Sequence, residues 1–160
     1  MFVTAMGIHT LHTRQIIPAT IGECWQFFSD PRNLARITPE KLRFEILSEV
    51  PEHIYPGLMI RYRVRPLLGF PLTWLTEITH VREPEIFVDE QRCGPYRIWH
   101  HEHHFHGLGD GRTEMTDRVT YQLLLTPLSE IAHGLLVEGE LDQIFSYREK
   151  AVAKIFGSSP

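Results

Sequence analysis

From residue 42 to residue 125 the chain is a succession of short segments of strand character, 42–50, 58–67, 72–82, 86–92, 97–108 and 112–125, separated by residues that reverse a chain. The reversing residues are Pro51 and Pro56-Gly57, Gly69 with Pro71, Pro84, Gly94-Pro95, and Gly109-Asp110-Gly111. Proline fixes one backbone angle and cannot donate to a ladder, while glycine takes the left-handed angles that tight turns need. Consecutive reversals of this kind predict an antiparallel meander.

The flanks differ. Residues 8–17 alternate and end at Pro18; Thr20 then caps a helix through Ser29 that buries Ile21, Trp25 and Phe28 at helical spacing. Asp30-Pro31 supplies a capping residue and a residue suited to the first helical position, restarting a short helix over 32–37 that Thr38 and Pro39 stop. Pro127 breaks the last strand, and 129–156 is long enough for a helix of several turns, with Gly134 and Gly139 weakening its start. There Val137, Leu141, Ile144, Phe145, Ala151, Val152 and Ile155 follow the spacing of a buried stripe, and Glu138, Glu140, Asp142, Glu149 and Lys150 lie mostly off it. Arg148 falls on the stripe, so its guanidinium either snorkels to water or meets a carboxylate, for which Asp117, Asp89 and Glu77 are the candidates.

A chain of 160 residues, 42 % hydrophobic, fits a single domain over 1–160 with a substantial core. With 20 acidic against 16 basic residues and a formal charge of −4, it offers no general attraction to nucleic acid or to an anionic membrane. No apolar stretch approaches the roughly 20 residues a spanning helix needs, so no stable membrane insertion is expected. Two cysteines, Cys24 and Cys93, without a signal-like leader make reduced thiols in a cytoplasmic protein the simpler reading.

Alternation over 97–108 places Trp99, His101, His103 and Phe105 on one strand face. Burying an imidazole without a hydrogen-bond partner costs roughly 1 to 3 kcal/mol, so two on an inward face point to a wet or ligand-filled interior. The plainer alternative is a pair of satisfied core histidines.

Several short motifs occur in a fixed order: Asp30-Pro31-Arg32-Asn33-Leu34 with Thr38-Pro39; Phe87-Val88-Asp89-Glu90-Gln91; Gly94-Pro95-Tyr96 with Trp99, His101 and Phe105; the segment 111–121; and Phe145 with Arg148. In this order, and with these elements, the chain resembles the START-like helix-grip proteins (SRPBCC), which include the birch pollen allergen family and polyketide cyclases, and within them a bacterial ligand-binding group. The resemblance implies an α+β fold. In it a curved antiparallel sheet wraps around the long C-terminal helix, two short helices follow the first strand, and a cavity between sheet and helix holds a hydrophobic or amphipathic molecule. In that frame Trp99, His101, His103 and Phe105 sit beside Thr113, Met115, Asp117, Val119 and Tyr121, while His100, Glu102, His104, His106, Glu114, Thr116, Arg118, Thr120 and Gln122 face solvent. Aromatic and Met surface with a few polar handles is the composition of a small-molecule pocket. Leu141, Phe145 and Arg148 form its lid or floor.

The expected partner is therefore a small lipid-like or aromatic ligand, bound or carried by a monomer or homodimer. The enzymatic alternative is a cyclase or dehydratase with His101 or His103 as general base, oriented by Asp117 or Asp89, and Tyr121 or Arg148 stabilising an enolate. No cofactor is expected. Alternation leaves only His101 and His103 on one face with Asp117, and the resembled family does not generally use a metal, so no native metal is expected either. A third class, a partner-binding module, rests on Tyr62, Val64, Trp74 and Ile78 as outer apolar surface. Arg61, Arg63 and Arg65 read as a solvated strand face, Gly107, Gly109 and Gly111 as a turn, and Cys93 lacks a nearby base.

Overall fold

The computed structural model describes residues 7–65, 70–124 and 137–158. Seven strands form one antiparallel sheet: β1 (Ile8–Ile17), β2 (Glu45–Ile46), β3 (Met59–Val64), β4 (Leu72–Arg82), β5 (Ile86–Cys93), β6 (Tyr96–Gly107) and β7 (Thr113–Leu123). Their order is β1-β7-β6-β5-β4-β3-β2, so the meander is as expected and the first strand docks beside the last. Register breaks at Leu75/Thr76, Ile78/His80 and Tyr96/Ile98 are the bulges that bend a sheet. Gly109 and Gly111, at φ 82°, take the left-handed angles of the β6–β7 turn.

Helix α1 (Ile21–Phe28) begins in a reciprocal capping box: the Glu23 N–H donates to Thr20 Oγ1 at 3.4 Å, and the Thr20 N–H donates to Glu23 Oε2 at 2.8 Å. Thr20→Ala is expected to cost about 1 kcal/mol in urea unfolding. The face that α1 buries is turned from the predicted one: Cys24, Trp25 and Phe27 are buried, while Ile21 and Phe28 are partly covered. The cause is Phe156 at the far end of the chain, whose ring meets Phe27 edge-on at 5.2 Å and draws that side inward. The second short helix, Pro31–Ile37, is a 3-10 helix capped by Asp30, whose side chain accepts from the Arg32 N–H.

The predicted strand 42–50 is mostly irregular. A 3-10 turn over Glu40–Leu42 ends at Arg43 in the left-handed region (φ 43°), and only Glu45–Ile46 pair as strand. The segment runs along the edge of β3 with scattered bonds, Arg65 N to Leu42 O and Leu47 N to Arg61 O, while Ser48 Oγ accepts from the Arg61 N–H in place of a carbonyl. An edge strand with one neighbour need not keep a full ladder.

Helix α2 (Glu138–Phe156) packs Leu141, Phe145 and Val152 inward and keeps Ala151 and Ile155 partly buried, as the stripe predicts. The earlier part of the predicted helix, with Gly134, and Leu67, Gly69, Leu125 and Pro127 lie outside the described residues. Two clusters make the core. In the larger, α1 and the end of α2 meet Ile60, Ile78, Phe87, Phe105 and Met115 of the sheet; the smaller joins Val119, Tyr121 and Leu123 to Val137, Leu141 and Phe145. Tyr62, Val64 and Ile78 are buried and Trp74 partly so, all on the inner face, so these four do not form the apolar outer surface on which the partner-module reading rests. Arg61 and Arg63 do face outward. Gln122, expected in solvent, is buried where it pairs with Ile8 on one side and Ile98 on the other, at the register break.

Candidate functional site

Cross-strand pairing brings four ionisable side chains together. Asp89 on β5 stands opposite His101 on β6, and Asp117 on β7 stands opposite His103. Each imidazole thereby lies between two carboxylates. His101 Nε2 is 3.0 Å from Asp117 Oδ1 and its Nδ1 is 3.4 Å from Asp89 Oδ2. His103 Nε2 is 2.9 Å from Asp89 Oδ2, and its Nδ1 is 2.9 Å from Asp117 Oδ1 without the alignment of a hydrogen bond. Both rings are buried and lie 3.8 Å apart between centroids; His103 stacks on Phe87 at 4.1 Å, and His101 meets Phe145 edge-on at 5.7 Å.

Arg148 closes the cluster from α2. Its guanidinium lies 4.8 Å over the Phe145 ring and 4.0 Å from Asp117 Oδ1, with the side chain 12 % exposed. Of its three candidate carboxylates, Asp117 is the neighbour and Asp89 is within electrostatic reach, while Glu77 is occupied by Arg92 on the outer face. Arg148 Nε is buried and has no hydrogen-bond partner among the described residues.

Burial pushes the Asp117 carboxyl up, but the adjacent His101 and His103 outweigh it and hold the group well below the usual carboxylate range. Asp89 is likewise lowered, its desolvation outweighed by His101, His103 and Arg148. The two imidazoles part. Burial and the neighbouring His103 push His101 down, whereas for His103 burial is outweighed by the two adjacent carboxylates, Asp117 and Asp89, which raise it. Arg148 supplies permanent positive charge beside the two carboxylates, and both imidazoles stand against them, which is how a buried ionic cluster becomes tolerable.

This cluster forms one wall of a cavity of about 560 Å³ between the sheet, the 3-10 helix and α2. Of the residues singled out from the sequence, Asp89, Trp99, His101, His103, Leu141, Phe145 and Arg148 line it. Phe105, Met115, Asp117 and Tyr121 do not. Phe105 is covered by Trp25 and Phe28 of α1, Met115 belongs to the main core, Tyr121 packs under α2 with Tyr96, and Asp117 stands behind the histidines. Alternation tells which residues share a face, not how far along the strand the helices seal that face. Apolar lining that sequence reasoning did not assign to the cavity comes from Phe44, Ile60, Tyr62, Trp74 and Phe87. The signal was present in the strict Ile60, Tyr62, Val64 alternation with Arg61, Arg63 and Arg65.

The remaining histidines of β6 stay outside. His100 Nδ1 bonds Glu90 at 2.9 Å and His104 Nε2 bonds Glu102 at 2.6 Å. The hairpin that presents Trp99 is pinned by Gln91, which donates to Tyr96 O at 2.5 Å and accepts from the Tyr96 N–H at 3.2 Å. A Cβ at Gly94 would run into the Gln91 amide, so a larger residue there would displace the side chain that pins the hairpin.

A cavity lined by aromatic and aliphatic side chains and one charged cluster suits a molecule with a flat or extended apolar body and a single polar group. Residues 17–144 match the model of the family described as polyketide cyclase / dehydrase and lipid transport. Among solved structures, the ZhuI aromatase/cyclase from Streptomyces sp. R1128 superposes with TM-score 0.70 at 17 % identity, covering 91 % of both chains. Protein Ms6760 from Mycobacterium smegmatis gives 0.67 at 22 % identity over 91 % of this chain and 89 % of that one. Norcoclaurine synthase from Thalictrum flavum, in complex with dopamine and hydroxybenzaldehyde, gives 0.62 at 15 % identity over 93 % and 88 %. No curated protein matches. At these identities the structural likeness establishes the shared helix-grip fold, and with the family model spanning most of its length the chain belongs to the polyketide cyclase / dehydrase and lipid transport family.

Proposed function

We propose that the protein binds or carries a small amphipathic molecule, with an aromatic or lipid-like body against Phe44, Tyr62 and Trp74 and one polar group toward His101, His103 and Arg148. The observation that carries this reading is the contrast between one charged cluster and the otherwise aromatic and aliphatic lining of a 560 Å³ cavity, a volume suited to a drug-sized ligand. The two carboxylates at the polar wall, Asp89 and Asp117, favour a neutral hydroxyl, phenol or carbonyl over a carboxylate ligand, which they would repel.

The enzymatic alternative in the same cavity needs an imidazole nitrogen that a substrate can reach. All four ring nitrogens of His101 and His103 lie within 3.4 Å of a carboxylate oxygen of Asp89 or Asp117, which favours binding over acid–base turnover.

Native mass spectrometry of the purified protein, followed by denaturing extraction, tests for a resident ligand. Titration with 1-aminoanthracene, a flat fluorescent amine, tests the cavity directly: saturable one-to-one binding is expected, weakened at least tenfold in Thr76→Phe, which fills the cavity from β4, and unchanged in His104→Ala on the outer face. Equal affinity in a folded Thr76→Phe protein would refute the assignment.

A further inference from the structure

We propose that Asp89, His101 and His103 form a binding site for a divalent transition-metal ion of the zinc class, with Asp117 as the carboxylate that orients both imidazoles. His101 Nδ1 and His103 Nε2 converge on the same atom, Asp89 Oδ2, at 3.4 and 2.9 Å. One donor atom from each of the three residues lies within 4.8 Å of the others. In a tetrahedral site with bonds of about 2.0 to 2.1 Å, ligand atoms sit roughly 3.3 Å apart, and the two nitrogen-to-oxygen spacings, 3.4 and 2.9 Å, are already close to that.

The other two nitrogens support the same reading. His101 Nε2 and His103 Nδ1 both lie against Asp117 Oδ1, at 3.0 and 2.9 Å. A carboxylate that takes the second N–H of a metal-bound imidazole fixes the tautomer that leaves the ligating nitrogen bare, and here one oxygen faces both rings. A slight turn of His103 would align its N–H with that oxygen. The set differs from the one alternation selects: Asp117, grouped with the histidines by strand face, stands behind them, and Asp89 from β5 takes its place.

Charge and access agree. With both imidazoles in the neutral form that binds metal, Asp89 and Asp117 outnumber the one permanent cation, Arg148, and the cluster attracts a dication. Two imidazoles and one carboxylate select zinc or iron(II) over calcium or magnesium, which prefer oxygen-only shells. Asp89, His101 and His103 all line the cavity. Three protein ligands on one side leave a coordination position turned toward it, open to a water or to a carbonyl or phenol oxygen of a bound molecule.

The test uses the full, tag-free chain, stripped of metal and titrated with cobalt(II). One equivalent giving the intense visible bands of low-coordinate cobalt is expected, displaced by zinc(II). Affinity should fall at least tenfold in His103→Gln and in Asp89→Asn, each shown folded by circular dichroism, and stay unchanged in a His100→Ala, His104→Ala double variant. Absence of the bands, or bands that survive both inner substitutions, overturns the site. Because an inner substitution can disturb the fold, a second measurement uses the unaltered protein: zinc(II) should move the imidazole nitrogen resonances of His101 and His103, and shifts confined to His100, His104 and His106 would place the ion on the surface instead. The 1-aminoanthracene titration, run without metal, reads the cavity separately, so either proposal can fail without the other.

Discussion

Trp25→Ala is expected to lose about 3 to 5 kcal/mol of stability, the range for truncating a large buried aromatic. Trp25 is 4 % exposed and meets Phe87 and Phe105 edge-on, at 5.9 and 6.0 Å. These are the contacts by which α1 is seated on the middle strands, and edge-on pairs add to what burial alone contributes. Removing the indole leaves a void that Phe28, already tilted on Phe105 at 5.4 Å, fills only in part. Urea unfolding should show a lower midpoint at unchanged slope. A loss under about 1 kcal/mol would mean that α1 swings in to close the void, and the cavity beyond it would then change shape as well.

Asp117→Leu should be comparably damaging for a different reason, at about 3 to 5 kcal/mol in metal-free protein. The carboxylate is buried among His101, His103 and Arg148, with Thr13 Oγ1 donating to it at 3.4 Å. Leucine removes the negative charge and leaves the guanidinium and the imidazoles facing one another in a poorly hydrated wall, where an unmatched charge costs far more than at the surface. Asp117→Asn keeps the shape and an acceptor oxygen, so it should cost less than Asp117→Leu. Equal stability of Asp117→Leu and the parent in urea would show that cavity water solvates Arg148 well enough to dispense with its partner.

The strands and turns were legible in the residues because each obeys a local rule. β1 and β4 run over the residues predicted, and β5, β6 and β7 differ by one or two at their ends, because alternation on a half-buried sheet and Pro or Gly at each reversal are written within a few residues of one another. The seating of β1 beside β7 is not local, and no short stretch of the chain implies it. Leu42 and Phe44 show where local reading failed: their alternation looked like a strand, but the segment lies on a sheet edge, where pairing is optional.

The site divides along the same line. His101 and His103 were identifiable because two imidazoles on an inward strand face are costly unless something pairs with them, and Arg148 because it interrupts an apolar helical stripe. Asp89 was a candidate partner, but nothing local says that it stands across from His101 or that Asp117 stands behind both rings; inter-strand register decides that. Where the cavity ends was decided later still, by the packing of α1 over Phe105 and of α2 over Tyr121, since two residues on one face become wall or core according to which helix lands on them. By itself the sequence determined the strands, the turns, the buried stripe and the chemical types on the inner face, all consequences of short-range periodicity. Tertiary structure alone decided which of those side chains meet, because bringing residues 89, 101, 117 and 148 within a few ångströms depends on strand register and on the seating of a helix, which no short stretch of chain encodes.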